Sequence, residues 1–390
     1  MQLPIPHPDA LAASQALKQR IAQEIHSHAG WIPFSRFMEL ALYAPRLGYY
    51  SGGAAKLGKD GDFTTAPEIT PLFGATLANL ATELISAPED GLSPNILEFG
   101  AGTGQLAFDI LTELQTIGSS IDAYYIVELS AELRARQEQK LSAFPQVRWL
   151  DSLPAVFSGV VVANEVLDAM PVELVLKGEH GWLQRGVGLH ESVGDEIVFS
   201  TIDRPADAAL VAQIPDADVL AVDYLTEVHP VAIGFMHSLA AMLKGGAGGA
   251  AFLFDYGFPA AEYYLEQRDQ GTLMCHYRHH AHPDPFYLPG LQDITAHVDF
   301  TAMTEAAMAG GLDVLGYTSQ AGFLLEAGIS QLLLRTPPEN VMRYLPQANA
   351  MQKLLSPAEM GELFKVLVVG INAALPERFL RQDRSHRLGI

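Results

Sequence analysis

Gly100, Gly102 and Gly104 alternate with Ala101 and Thr103 directly after the apolar run Ile96-Leu97-Glu98-Phe99. Residues without a Cβ permit a tight bend and let the main chain approach a bound molecule, and Gln105-Leu106-Ala107-Phe108-Asp109-Ile110-Leu111 then starts a helix. Polar groups recur after the next apolar runs. Ala123-Tyr124-Tyr125-Ile126-Val127 ends in Glu128, Val147-Arg148-Trp149-Leu150 in Asp151-Ser152, and Val160-Val161-Val162-Ala163 in Asn164-Glu165-Val166-Leu167-Asp168. Each run reads as a buried strand. Four strand tips therefore carry polar groups on the carboxyl edge of one sheet, where open α/β sheets bind ligands.

The spacing narrows the ligand. A dinucleotide fingerprint needs a third glycine at 105 to cradle a pyrophosphate, and that position is Gln105. Glycines at alternate positions, with an acidic residue two places before the first, form instead the pattern of S-adenosylmethionine sites. Glu98 supplies that acid. Glu128, at the tip of the second strand, is placed to accept both ribose hydroxyls, and Asp151 with Ser152 falls where adenine-recognising groups lie in this architecture. Asn164 completes the cofactor set. The competing reading is a glycine turn in another kind of α/β protein, and Glu128 in register with the turn weighs against it.

Further blocks carry a family resemblance. Gly30-Trp31-Ile32-Pro33-Phe34, Ala44 to Tyr50, Gly61 to Ile69, Glu98 to Gly104, Glu128-Leu129-Ser130, Asn164 to Pro171, Asp255-Tyr256-Gly257 and Asp293 to Phe300 resemble the MidA-type methyltransferases. That family includes the mitochondrial complex I assembly factor that methylates arginine in a complex I subunit. The resemblance runs from about residue 15 to about residue 330 and leaves the last part of the chain unmatched. It implies a Rossmann-like class I methyltransferase core of α/β class, with a mostly parallel seven-stranded sheet, an N-terminal helical cap and inserted antiparallel hairpins. It also implies S-adenosyl-L-methionine as cofactor and a protein bearing arginine as acceptor, with a respiratory complex I subunit as the type case. Glu165 and Asp168 are then the candidates to orient the guanidinium, which is a poor nucleophile while protonated. The resemblance places Glu68 beside the active site on a lid. Read without it, Asp168 serves equally as a charge at a helix N-terminus, and Glu68 lies just ahead of a helix opening at Thr70-Pro71.

Two other function classes stay open: an assembly or scaffold protein that binds a respiratory-complex subunit, and a methyltransferase acting on a small molecule or RNA. His276, His279, His280, His282 and His297 match no metal-ligand spacing, and sulfonium methyl transfer needs no Lewis acid, so no metal is expected. Tyr277, His279 and the 293–300 block are read as lining the acceptor cleft or covering the sheet edge.

The chain has 390 residues, 49% of them hydrophobic, with 24 basic and 45 acidic groups and a net charge of −21. Such acidity opposes nucleic-acid binding and suits a cationic target, but net charge speaks weakly to mechanism and the plainer reading is that it keeps the protein in solution. A single cysteine, Cys275, excludes an intramolecular disulfide and fits a reducing compartment. The N-terminus shows no secretory pattern, and the apolar stretch Phe364 to Leu375 is too short to span a bilayer, so the sequence predicts a cytoplasmic protein without membrane insertion; a homodimer is allowed. The predicted organisation is a helical cap and lid loop over 1–90, a core over 91–171 and 250–335, an insertion with hairpins and a helix over 172–249, and a helical segment over 336–390. Within it, 312–317 and 329–334 are the last two strand candidates.

Overall fold

The computed structural model describes residues 3–52, 65–87, 91–190 and 196–389. Most of the loop from Ser51 to Asp62, with Gly61 to Thr64 of the lid block, lies outside the described residues. By internal packing the chain forms two compact units. One comprises residues 1–63, 167–233 and 260–302, the other 64–166, 234–259 and 303–390.

The second unit is built on strands β1 (Asn95–Phe99), β2 (Ala123–Val127), β3 (Val147–Leu150), β4 (Gly159–Asn164), β5 (Gly249–Phe258), β6 (Asp313–Ser319) and β7 (Phe364–Ile371). They lie in the order β6-β7-β5-β4-β1-β2-β3. Every pair from β5 to β3 is parallel, and β7 is antiparallel to both its neighbours. Such strands are covered on both faces, which is why they read as unbroken apolar runs rather than as alternating patterns. Three helices matter for the site: α1 (Pro71–Ile85), α2 (Gln105–Thr116) and α3 (Ala131–Lys140). Leu77, Leu80, Ile96, Ile110, Tyr124, Val160, Val162 and Phe252 lie in one buried cluster, so α1 and α2 pack on the sheet. The chain leaves β1 toward β2 on one side and returns through β4 on the other. That reversal sets the switch point, where the carboxyl ends of β1 and β4 diverge.

Two expectations are corrected here. Residues 329–334 do not form a strand: Gly328, at φ +94°, opens a helix over Ile329–Leu333. Ile329, Leu332 and Leu333 are its buried residues, a helical spacing that a short apolar run conceals. The 336–390 segment is not helical throughout. It contains a helix, Val341–Leu355, but also β7, which is inserted between β5 and β6. The run Phe-Lys-Val-Leu-Val-Val-Gly-Ile is buried along nearly its whole length, as an interior strand requires.

The first unit has its own core and its own sheet. The antiparallel strands Glu173–Gly178 and Gly181–Leu189 form the expected hairpin, and Phe199–Pro205, Leu225–Val228 and Ile32–Pro33 extend it. Helices Pro8–Ser27 and Phe34–Tyr43 bury Leu17, Ile21, Phe34, Phe37 and Met38 with Leu174 and Val187 of that sheet. The helical cap and the hairpins thus share one core. The stretch 260–302, assigned from sequence to the methyltransferase core, belongs to this unit and contributes Cys275 and Ile294 to the same cluster.

Candidate active site

The glycine turn is bent as the spacing requires. Gly100, Gly102 and Gly104 have φ of +61°, +53° and +77°. Gly100 N–H donates to the Val127 carbonyl at 3.1 Å, tying the turn to the end of β2, and Gly104 in left-handed conformation opens α2. A Cβ on Gly104 would lie 3.3 Å from Gln137 Cγ, so the position is constrained by space as well as by conformation.

Glu68 rests against this turn. Its carboxylate accepts from Thr103 Oγ1, and the capping role weighed for it belongs to Thr70, whose hydroxyl accepts from Leu72 N–H at 3.3 Å. Glu98 is buried in β1 and accepts from the Tyr124 hydroxyl at 2.7 Å. Burial pushes its pKa up to about 8; the tyrosine bond opposes the rise and the nearby Glu128 charge adds to it. Glu128, at the tip of β2, accepts from Ser130 N–H at 2.8 Å and from Gln137 Nε2 at 2.9 Å. Burial raises its pKa as well, against those two bonds.

Asp151 and Ser152 follow β3 on the surface. Asp151 is 92% exposed and pairs with Arg134 at 2.6 Å. At the end of β4, Asn164 Nδ2 donates to Glu165 Oε1 at 3.1 Å. Glu165 has φ +54°, an uncommon conformation for a non-glycine residue, and its N–H is held by the Phe254 carbonyl of β5 at 2.8 Å. The following residue, Val166, lies 3.4 Å from where a Gly100 Cβ would be, which sets the 164–166 segment beside the glycine turn. Asn164 Oδ1 is buried without a hydrogen-bond partner among the described residues. An orphaned buried acceptor beside a bent glycine turn fits a ligand that brings its own polar hydrogens.

Asp168 belongs to the first unit. No helix begins there, so the helix-terminus reading is lost. Asp168 is 5% exposed, its carbonyl accepts from Ala296 N–H at 3.1 Å, and its charge is felt by Tyr50. The Tyr50 hydroxyl donates to Asp293 Oδ1 at 3.0 Å, and the Tyr50 and Tyr43 rings stack at 5.5 Å. Burial, with Asp293 beside it, holds the Tyr50 hydroxyl well above its ordinary pKa. Tyr50 was not singled out from the sequence, although it sits in a block that carries the resemblance, whereas Asp293 opens the 293–300 block read there as lining the acceptor cleft or covering the sheet edge. Gln137 was missed altogether. So was Asp109, a buried carboxyl of α2 whose pKa burial raises to about 6 against the bond from Gln105 Nε2. Among the described residues no group of three or more His, Cys, Asp or Glu side chains could hold a metal ion.

The comparisons with known proteins decide the family. Residues 76–318 match the model of a family described as S-adenosyl-L-methionine-dependent methyltransferase. The chain belongs to this family. A solved structure from Burkholderia thailandensis, with S-adenosyl-homocysteine bound, is 52% identical, with a TM-score of 0.91 over 99% of this chain and 100% of that one. The protein arginine methyltransferase NDUFAF7, mitochondrial, of Bos taurus is 29% identical over 87% of this chain and 80% of its own length. The human protein of that name is 28% identical over 92% and 83%. The cofactor is therefore S-adenosyl-L-methionine, and the glycine turn fits it: three bent glycines, Glu128 at the second strand tip and the unsatisfied Asn164 carbonyl are the groups that would hold it. No helix among the described residues is long and apolar enough to cross a membrane.

Proposed function

We propose that the protein is a protein-arginine N-methyltransferase, with a respiratory complex I subunit as the expected type of acceptor. S-adenosyl-L-methionine, when bound, supplies a methyl group on a positively charged sulfur. The protein's part is to present a nitrogen with lone-pair density and to keep it aligned. A guanidinium, with a pKa above about 12, offers that density only where carboxylates draw its charge to the other nitrogens.

The observation that carries this reading is the pairing of carboxylates with stacked rings in the first unit. Asp168 and Asp293 are 5% and 2% exposed, and both act on Tyr50, which stacks on Tyr43. Carboxylates and aromatic faces together suit a planar delocalised cation, since the former accept its N–H groups and the latter its face. In this reading Asp168 binds the acceptor, and Glu165, three residues earlier at the strained tip of β4, orients the attacking nitrogen. The curated relatives named as protein arginine methyltransferases support arginine as the residue methylated.

The test is transfer of a radiolabelled methyl group from S-adenosylmethionine by the full chain to protein in a cell extract, with acid hydrolysis and amino-acid analysis. Label in methylarginine, lost in Asp168→Asn while cofactor affinity is kept, supports the reading. Label in another amino acid, in RNA or in a small-molecule fraction overturns it.

A further inference from the structure

Helix α3 has one buried side chain, and it is polar. Its sequence, Ala-Glu-Leu-Arg-Ala-Arg-Gln-Glu-Gln-Lys, reads as a solvent-facing helix, yet Gln137 is fully buried where packing alone would favour leucine. Gln137 Nε2 donates to the Gly102 carbonyl and to Glu128 Oε2, both at 2.9 Å. Its Oε1 accepts from the indole of Trp149 on β3 at 3.0 Å. An indole N–H only donates, so it fixes which end of the amide faces it and leaves both amide hydrogens for the glycine turn and the carboxylate. One side chain thus joins the loop after β1, the tip of β2 and β3. Its Cγ also occupies the space beside Gly104.

We propose that Gln137 is a positioning residue for the cofactor: it clamps the middle of the glycine turn to the carboxylate that receives the ribose, with Trp149 as the group that sets its orientation. Without it, the Gly102 carbonyl and Glu128 each lose a buried donor, and the turn keeps its tie to the end of β2 through Gly100 N–H alone, with nothing on the Gly102 side to fix the Glu128 carboxylate. Glu128 is already less acidic through burial, and the bond from the Gln137 amide is one of three hydrogen bonds that counter this, with those from the Ser130 and Leu129 backbone. The inference rests on the cofactor lying at the glycine turn and on Glu128 receiving the ribose. It does not depend on the nature of the acceptor.

Isothermal titration with S-adenosyl-homocysteine tests it, using Gln137→Leu, Trp149→Phe, Glu128→Ala and the double variant Gln137→Leu with Glu128→Ala. Gln137→Leu should weaken binding on the order of 10- to 100-fold, the range for one or two hydrogen bonds to a charged or buried partner. Trp149→Phe, which keeps the packing and removes the indole donor, should weaken it several-fold. In steady state the loss should appear in KM for S-adenosylmethionine more than in kcat. The double variant should bind little worse than the weaker single variant, because both act on one contact. A merely structural glutamine would lower the thermal midpoint of the free protein and leave affinity unchanged; that result, or full additivity in the double variant, overturns the proposal. Should Gln137→Leu not fold, unchanged affinity in Trp149→Phe overturns it alone. If Glu128→Ala binds as wild type while Gln137→Leu does not, the ribose assignment fails and the clamp on Gly102 stands.

Discussion

Glu98 is the residue whose titration should be felt most directly in cofactor binding, and Glu98→Gln isolates it. Its folded pKa of about 8 stands above an ordinary value of 4.5, with burial as the main cause. Between those values the native protein keeps a proton that the unfolded chain has already released. Stability of the free protein therefore falls as pH rises through this window, by at most about 1.4 kcal/mol per pH unit and ~5 kcal/mol in all. A glutamine keeps an acceptor for the Tyr124 hydroxyl and carries no titration, so the variant should lack that slope.

Binding reads the same group from the other side. At pH 7 roughly nine in ten Glu98 side chains are protonated if the pKa is about 8. A ligand that sets a cation against Glu98 favours the carboxylate and expels the proton. The expected release is about 0.9 proton per cofactor at pH 7, with affinity improving up to tenfold per pH unit below pH 8. Titration calorimetry in buffers of different ionisation enthalpy measures this release. S-adenosylmethionine and S-adenosylhomocysteine should be compared, since the second keeps the ammonium and lacks the sulfonium. In Glu98→Gln the release should vanish. An unchanged pH slope in the variant, together with buffer-independent enthalpies in the wild type, would refute the assignment of this proton to Glu98. A slope in stability without proton release on binding would make Glu98 a buried strut behind the turn.

Other perturbations separate the remaining roles. Gly102→Val places a β-branched residue at φ +53°, where strain of about 1–3 kcal/mol is expected, and should abolish saturable binding in the same titration with only a modest fall in thermal midpoint. Glu165→Gln should lower kcat on the order of 100-fold in the labelled-methyl assay and leave the cofactor Kd unchanged, because the side chain is assigned to the acceptor. His229 is fully buried, bonds the Tyr263 hydroxyl at 3.2 Å, and has its pKa lowered to about 4 by burial. The unfolded chain takes up a proton near pH 6.5 that the native protein refuses until about 4, so stability should be lost as pH falls between them, by up to ~3 kcal/mol. Chemical denaturation across that range should show this loss in the wild type and not in His229→Phe.

What the sequence disclosed follows from how local each signal is. The bent turn is written in three glycines a few residues apart, and Glu128 and Asn164 end apolar runs, so their places on the carboxyl edge need only the strand pattern and the order of the chain. Strand β7 was hidden because a short, mostly apolar run of eight residues looks the same whether it joins a sheet or closes a helical tail; only pairing with β5 and β6 decides. The helix at 329–333 is the converse error, three apolar residues whose helical spacing is too short to register.

The polar residues that were missed share one cause. Gln137 sits among arginines, glutamates and lysine, and Glu227 alternates with Thr226 and Val228 as an outward residue of a strand would. Yet Glu227 is fully buried and accepts from Thr272 N–H at 2.8 Å, Leu273 N–H at 2.9 Å and the Tyr263 hydroxyl at 2.9 Å. Pattern reading assigns polar residues to water because most of them are there; burying one costs free energy unless partners wait for it. Those partners come from distant parts of the chain, Gly102 and Trp149 for Gln137, Tyr263 and Thr272 for Glu227. Where an element buries a polar group against the pattern, something other than packing has fixed that residue. In α3 that something is the glycine turn, and so the one buried residue of an otherwise solvated helix points to the cofactor as directly as the glycines do.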